Sequence, residues 1–339
     1  MKILHELNEL GIGGAERVVA GIIRHDKQNQ HMVYSYKDGP MKAVLEGAGA
    51  TVLIESKETI PVDCDIIHIH TGGDTSTVAS CVKGQITTIE TIHSPVVSKV
   101  RDEWVKQRIG VSNQVTKLNR KCRTIYNGVD IDRLESHNAM IGSLRESLKI
   151  SKDAFVVGRV GRIGYDKCLE EWLVACKKFQ DTGLCKDSHF LIVGDEASNS
   201  KGYLAKVKVM AASLPLKNVH FLPAMEQIGW AYEAMDVFMY PSPSEGFGLV
   251  YMEAMACGVA TLLWESDLTK ELTLGAAMLC KATVKDLAEH LSYLFLQSSV
   301  RDQYALEGHK HVLNEFTDER MSQKYQDLYL ELKGAPVAV

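Results

Sequence analysis

No stretch of this 339-residue sequence approaches the ~20 consecutive apolar residues that span a bilayer, so a membrane-crossing helix is not expected. The opening residues Met1-Lys2-Ile3-Leu4-His5-Glu6-Leu7 are broken by polar side chains, which argues against a signal peptide. Among the cysteines, Cys64, Cys81, Cys122, Cys168, Cys176, Cys185, Cys257 and Cys280, there is no C-x-x-C pair. Most stand in apolar segments, as buried thiols of a reducing, cytoplasmic compartment do. A large charge excess is also missing: the formal net charge of −5 gives no case for a nucleic-acid partner. Repeats and low-complexity tracts are absent. What remains, 45% hydrophobic and 24% charged residues, is the composition of a globular protein. The length suits two domains rather than one core.

Short β-rich runs alternate with helical-period segments. Strands are expected at Ile3–Leu7, Met32–Ser35, Thr51–Ile54, Asp65–Ile69, Ile86–Ile92, Arg108–Val111 and Arg123–Tyr126, then at Phe155–Val160, His189–Val193, Val219–Leu222, Val237–Tyr240 and Ala260–Leu263. Strict βα alternation, made twice, predicts an α/β architecture of two doubly wound parallel sheets. Ligands of such sheets sit beyond the carboxyl ends of the strands, so two facing sheets would close a cleft. The polar stretch after Leu148 sets the expected boundary: domains at 1–150 and 151–316, with a terminal helix at 317–339 packing on the back of the first.

The sharpest motif is Ser244-Glu245-Gly246-Phe247-Gly248-Leu249 with Glu253 beyond it. Pro241 and Pro243 end a strand, the glycines leave the backbone open, and an Ala/Met-rich helix follows. A helix entered through glycines offers N–H groups and a positive dipole end to an anion, while two carboxylates beside it suit hydroxyls. That combination fits a phosphorylated sugar. A glycosidase acid/base pair is disfavoured, because Glu253 should lie deep in an apolar helix. There a ribose, a structural lysine or backbone N–H groups would satisfy it.

Gly11-Ile12-Gly13-Gly14-Ala15-Glu16-Arg17 opens the first helix, but Glu16 stands where a dinucleotide fingerprint needs glycine. Either a phosphate loop or a plain tight turn remains. Arg162 and Lys167 flank the loop after the first strand of the second half, as a diphosphate clamp or an ordinary surface pair. His68 and His70 alternate on one strand near Asp63, Asp65 and Asp74. Placement disfavours a metal, since Asp63 and Asp65 precede the strand while the ligand end follows it, and a polar role at the strand end suits His70 better. His93 ends another strand, in a structural role or at the cleft. Lys99, Arg101, Lys106, Arg108, Lys117, Arg120, Lys121 and Arg123 crowd 99–123. This is either a solvated face or a weak contact with an anionic membrane, peripheral at its inner face.

In this order the pieces resemble the retaining GT-B glycosyltransferases of family 4 over nearly the whole chain. The matching runs are Gly13-Gly14-Ala15-Glu16-Arg17, Asp65-Ile66-Ile67-His68, Thr91-Ile92-His93-Ser94, Gly110-Val111-Ser112, Tyr126-Asn127-Gly128-Val129-Asp130, Val160-Gly161-Arg162 with Lys167, Leu191-Ile192-Val193-Gly194-Asp195 and Glu245…Glu253. The resemblance implies transfer of a hexose from a nucleoside-diphosphate sugar, UDP- ahead of GDP-, to a hydroxyl of a glycan, lipid or small molecule. Anomeric retention, no metal and no further cofactor are implied with it. It implies that Gly13, Gly14, Arg162 and Lys167 hold the diphosphate. Glu253 would bind the ribose, and Glu245 with the backbone of Gly246, Phe247, Gly248 and Leu249 the sugar and phosphates. His93 would lie beside the transferred sugar and act with Glu245 in catalysis. Cys168 departs from the family's glycine, Leu222-Pro223 from its Leu-Gly, and Trp264–Glu271 lacks its glycine pair. Non-catalytic sugar-nucleotide or glycan binding, or epimerase or hydrolase activity on the same fold, are the alternatives.

Overall fold

A computed structural model describes residues 1–55, 62–70, 76–135 and 144–334; Asp74 and Thr75 lie outside them. In chain order the first elements are β1 (Lys2–Leu7), α1 (Gly14–His25), β2 (Gln30–Ser35), α2 (Met41–Ala48), β3 (Thr51–Ile54), β4 (Ile66–Ile69), α3 (Thr77–Val82), β5 (Thr87–Ile92), β6 (Gln107–Gly110), α4 (Asn113–Leu118) and β7 (Cys122–Thr124). Next come α5 (Ile131–Leu134), α6 (Leu144–Ser147), β8 (Phe155–Val160), α7 (Leu169–Asp181), β9 (Ser188–Val193), α8 (Tyr203–Ser213), β10 (Val219–Leu222), α9 (Gly229–Glu233) and β11 (Val237–Tyr240). The chain ends through α10 (Leu249–Ala256), β12 (Ala260–Trp264), α11 (Asp267–Thr273), β13 (Met278–Cys280), α12 (Val284–Leu296), α13 (Ser298–Glu315) and α14 (Asp318–Lys333). Among the described residues, no helix is long and apolar enough to cross a membrane.

Two compact units result. The first holds residues 1–130, 245–249 and 316–339. Its seven strands are all parallel, in the order β3-β2-β1-β4-β5-β6-β7. The order reverses between β1 and β4, and ligands of doubly wound sheets bind at such a switch point. One face of the sheet is covered by α1 and α14, with Ile3, Val18, Ile22, Ile66, Ile89, Met321, Tyr325 and Tyr329 forming a closed core. Thr317 caps α14 by accepting from the Arg320 N–H, and Gly334 ends it in the left-handed region. Its first turn is pinned where Asp318 meets Arg24 Nη1 and His25 Nε2, each at 3.0 Å.

The second unit holds residues 131–244 and 250–315, around a parallel sheet ordered β10-β9-β8-β11-β12-β13. Trp172 anchors its core, fully buried, with Nε1 donating to the Met239 carbonyl at 2.9 Å. The switch point here lies between β8 and β11.

Two corrections to the expected organisation follow. The division falls after Asp130 rather than at 150, because α5 and α6 are tied into the second unit. Arg145 donates to the carbonyls of Ala234 and Ala154, each at 3.0 Å, and to Asp236 at 2.9 Å. Conversely, Glu245–Leu249 belongs by its packing to the first unit, although the flanking sequence belongs to the second.

Candidate functional site

Local backbone dictates where Glu245–Leu249 sits. A Cβ on Gly246 would come within 2.7 Å of the His93 carbonyl carbon and 3.2 Å of Ser94 Cα, so only glycine fits against β5's carboxyl end. Gly248 takes a φ of 85°, the left-handed region, before α10 begins. Phe247 buries its ring beside Tyr126 and Phe316, at centroid distances of 6.4 and 5.7 Å. A Cβ on Gly14 would touch Leu249 Cδ1 at 3.4 Å. Gly13 is the N-cap of α1 and supplies no side-chain cap, and the Glu16 carboxylate folds back beside it, its Cδ 3.3 Å from where a Gly13 Cβ would stand. Thus Gly13, Gly14, His93 and Glu245–Leu249 come together in the first unit, with Glu245 half-buried.

His93 is one member of a larger array. Its Nε2 lies 3.0 Å from His70 Nδ1, while its Nδ1 is closed to water and has no partner among the described residues. Burial pushes the His93 imidazole down to about 4, so the ring is neutral near pH 7. His68 is consumed structurally: Nδ1 meets the Tyr329 hydroxyl at 2.8 Å and Nε2 meets Thr91 at 2.7 Å. Asp63 and Asp65 pair with Lys2 and Lys333 at the amino ends of the strands, the opposite edge from His70. His5, His68 and His70 do bring three ring nitrogens within 4.8 Å of one another, but those of His5 and His68 already meet hydrogen-bonding partners.

In the second unit, Arg162 and Lys167 share the loop after β8. Gly161, at φ 137°, lets the chain turn, and Ile163 N–H donates to the Asp195 carbonyl at 2.9 Å, fastening this loop to the one after β9. Arg162 is exposed; Lys167 is buried, with Nζ 3.1 Å from Asp166. Burial opposes ionisation of Asp166, but Lys167 and Arg162 together hold its carboxyl below the usual range. Cys168 stands at φ 48°, in the left-handed region that favours glycine. Glu253 lies on α10 and is almost fully buried. One of its oxygens accepts from Arg133 Nη2 and the other lies 2.8 Å from the Tyr232 hydroxyl. A carboxylate oxygen has two lone pairs, so these partners leave capacity for further donors.

Several participants escape a reading of the sequence. Arg133 stands 120 residues from Glu253 and gives no local sign of pairing with it. Arg159 lies within an otherwise apolar strand, a detectable oddity; it is buried, 5.1 Å over the Tyr240 ring, and donates to the Lys167 carbonyl at 2.9 Å. His5 and His31 carry the same sign, polar residues inside buried strands. Arg108 leaves the expected basic surface altogether: it is buried between Glu90, at 2.9 Å, and Asp102. Burial raises the Glu90 carboxyl, against the pull of Ser98 and Arg108.

Comparison with known proteins places this geometry. The sequence profile described as "Glycosyl transferases group 1" matches residues 141–311, just over half of the chain. The chain is 27% identical over 221 residues to a D-inositol 3-phosphate glycosyltransferase of Saccharomonospora viridis, covering 63% of this chain and 51% of that one. It is 26% identical over 242 residues to the capsular polysaccharide biosynthesis glycosyltransferase CapM of Staphylococcus aureus, covering 69% and 60%. It therefore spans about half to three fifths of those relatives. Among solved structures, Anabaena HepE in complex with UDP and glucose matches with a TM-score of 0.81 at 20% identity, over 97% of this chain and 99% of that one. Sucrose-phosphate synthase from Thermosynechococcus elongatus matches with a TM-score of 0.76 at 18% identity, over 99% and 100%. These likenesses give the fold, two doubly wound parallel-sheet units of the GT-B type, and by its profile the chain belongs to the glycosyl transferases group 1 family.

Proposed function

We propose that this chain moves a hexose from a nucleoside-diphosphate sugar, UDP-linked in preference to GDP-linked, to an acceptor hydroxyl with retention and without a metal. One observation carries the reading: Gly246 is seated on the His93 carbonyl, gathering Glu245, an imidazole whose Nδ1 has no partner among the described residues, and the glycine-entered N-terminus of α1. The Anabaena protein's complexes with UDP and with UDP-glucose support the choice of base. In this reading Arg162 and Lys167 stabilise charge developing on the departing diphosphate. Phe247 contributes through its backbone, since its ring is buried. Glu245 and His93 hold sugar hydroxyls, and Glu253, oriented by Arg133 and Tyr232, takes the ribose. The leaving phosphate oxygen takes the acceptor's proton on the same face.

The acceptor is a glycan, a lipid or a small molecule. A lipid-side location is supported by the surface near α4: Val96, Val97 and Leu118 are exposed beside exposed Lys99, Arg101, Lys117 and Arg120. Co-sedimentation with anionic against neutral vesicles tests that contact. The transferase reading is tested by incubating the protein with a panel of UDP- and GDP-sugars, with and without acceptors. Acceptor-dependent release of the diphosphate is expected. Binding without turnover, or product formed without acceptor, overturns it in favour of a binding protein or an epimerase or hydrolase.

A further inference from the structure

Four imidazoles form a diagonal row through the first unit's sheet. His31 Nδ1 lies 3.0 Å from His5 Nε2, His5 Nδ1 3.2 Å from His70 Nε2, and His70 Nδ1 3.0 Å from His93 Nε2. Register explains the line. Ile3 opposes His31 and His5 opposes His68, so each step to the next strand moves two residues toward the carboxyl ends. The row begins on β2, crosses β1 and the end of β4, and finishes beyond β5, spanning the β1/β4 switch point. His31, His5 and His70 are buried, and His68 packs against His70 with ring centroids 3.9 Å apart and the planes tilted by 38°.

The two ends differ chemically. At the far end, His31 Nε2 is 3.2 Å from Asp26 Oδ2, an ion-pair contact bent away from a well-aligned hydrogen bond. Asp26 also accepts from Asn29 and from the Gln28 N–H. At the near end, His93 Nδ1 meets nothing among the described residues. A neutral imidazole has one N–H and one lone pair, and a carboxylate only accepts. A lone pair turned on Asp26 would be repelled, so His31 carries its proton on Nε2 and accepts at Nδ1. His5 must then donate from Nε2 and accept at Nδ1, and His70 the same. Each ring fixes the next, leaving His93 with its proton on Nε2 and a lone pair on Nδ1. The row requires all four rings neutral: burial holds His5 and His70 well below the usual histidine range, whereas a cationic His31 would reverse every bond in it.

We infer that Asp26, His31, His5 and His70 are positioning residues that lock the tautomer of His93, leaving on Nδ1, an atom closed to water and without a partner among the described residues, a lone pair for which a hydroxyl of the transferred sugar would be the missing donor. The inference rests on the transferase reading for its ligand, but the tautomer itself does not. His68 is not part of the relay; Tyr329 and Thr91 occupy its nitrogens and it serves as a packing wall.

The decisive measurement is long-range ¹H–¹⁵N correlation on the full chain carrying ring-labelled histidine at neutral pH. His93 is expected to show a protonated Nε2 and a bare Nδ1. A proton on Nδ1 overturns the inference whatever the enzyme's activity, so its failure is separate from failure of the transferase reading. His5→Leu severs the row, whereas His5→Gln keeps one donor and one acceptor in it. His5→Leu should mix the His93 tautomers and weaken nucleotide-sugar binding by about tenfold, the scale of one lost hydrogen bond, while leaving nucleoside-diphosphate affinity within about twofold. His5→Gln should restore the single tautomer and most of the affinity. Equal damage from both variants, or a His93 tautomer untouched by His5→Leu, refutes the relay. Stoichiometric zinc uptake at His5, His68 and His70 with loss of the Nε2–H signature also refutes it.

Discussion

Gly246→Ala is the sharpest perturbation of the candidate site. The added methyl would lie 2.7 Å from the His93 carbonyl carbon and 3.2 Å from Ser94 Cα. Non-bonded carbons settle at roughly 3.5–4.0 Å, so the Glu245–Leu249 backbone must retreat by about 1 Å. Overpacking of this kind costs ~1–3 kcal/mol, and in a unit of this size each kcal/mol lowers the melting midpoint by about 2–4 °C. The protein should therefore remain folded at 25 °C. Catalysis is less forgiving: a misplacement near 1 Å costs about 100-fold in rate, because reacting groups lose their alignment. Initial rates of acceptor-dependent diphosphate release, paired with thermal melts, measure both. Gly47→Ala is the control, since a methyl there meets nothing within 4 Å. A Gly246→Ala enzyme that turns over within twofold of wild type would refute the placement of the site on this segment.

Three further outcomes are expected. Arg133→Ala leaves the buried Glu253 carboxylate with Tyr232 as its remaining identified partner, which should cost on the order of 3 kcal/mol in denaturant unfolding. An unchanged midpoint would show that Arg133 orients nothing. Arg162→Ala combined with Lys167→Ala should weaken UDP binding by at least about 100-fold, the loss of two charge-assisted contacts, as read by calorimetry; undiminished heat of binding rejects the clamp. Stability should fall in acid: His5, His68, His70 and His93 are all held below the usual 6.5, His93 at about 4. The unfolded chain then binds more protons, so their contribution is complete above pH 6.5 and drains away as pH falls toward 4. For His93 the 2.5-unit difference is worth on the order of 3 kcal/mol. A denaturation midpoint that is flat between pH 6.5 and 4.5 contradicts the neutral array.

The parallel strands were legible because each is a short apolar run between turn signals, and their observed bounds differ from expectation by a residue or two. β13 was not, since three residues carry no periodicity. The boundary at 150 followed a polar stretch, whereas the real divide depends on where Arg145 reaches, which composition does not encode. Arg108 shows the same limit. In sequence it joins a basic crowd, and in space β6 turns it onto Glu90 of β5. The Gly246 segment was recognisable, because glycines beside a carboxylate and a helix start form a local pattern. The imidazole row was not, because its members lie on or just beyond four different strands and only register brings them into line. Each alone is a single polar residue in a buried strand, the least distinctive form a functional residue takes.

The two switch points are built from opposite chemistry, and that contrast bears on what each sheet handles. Around β1 and β4 a row of buried imidazoles and a glycine backbone suit hydroxyls that need a directed acceptor or donor, and the buried Glu6 of β1 is taken up by the Tyr36 and Ser76 hydroxyls. Burial has already removed the charge from these rings, so they would do little to hold a diphosphate. Around β8 and β11 the groups are Arg159, held by the Lys167 carbonyl, the buried Lys167 with Nζ beside Asp166, and the exposed Arg162. A cation held in advance, as Arg159 and Lys167 are, loses little order when an anion arrives. Exchanging the sets would fail on physical grounds. A charged row across the first sheet would have to be desolvated with Asp26 as the one carboxylate touching it among the described residues, and neutral rings at β8 would leave phosphate charge uncompensated. Lys167→Met should accordingly damage diphosphate binding far more than stability, while His70→Phe should do the reverse for diphosphate and selectively impair binding of the intact nucleotide sugar. Parallel calorimetry with UDP and with the nucleotide sugar reads that difference, and equal losses in both variants would refute the division.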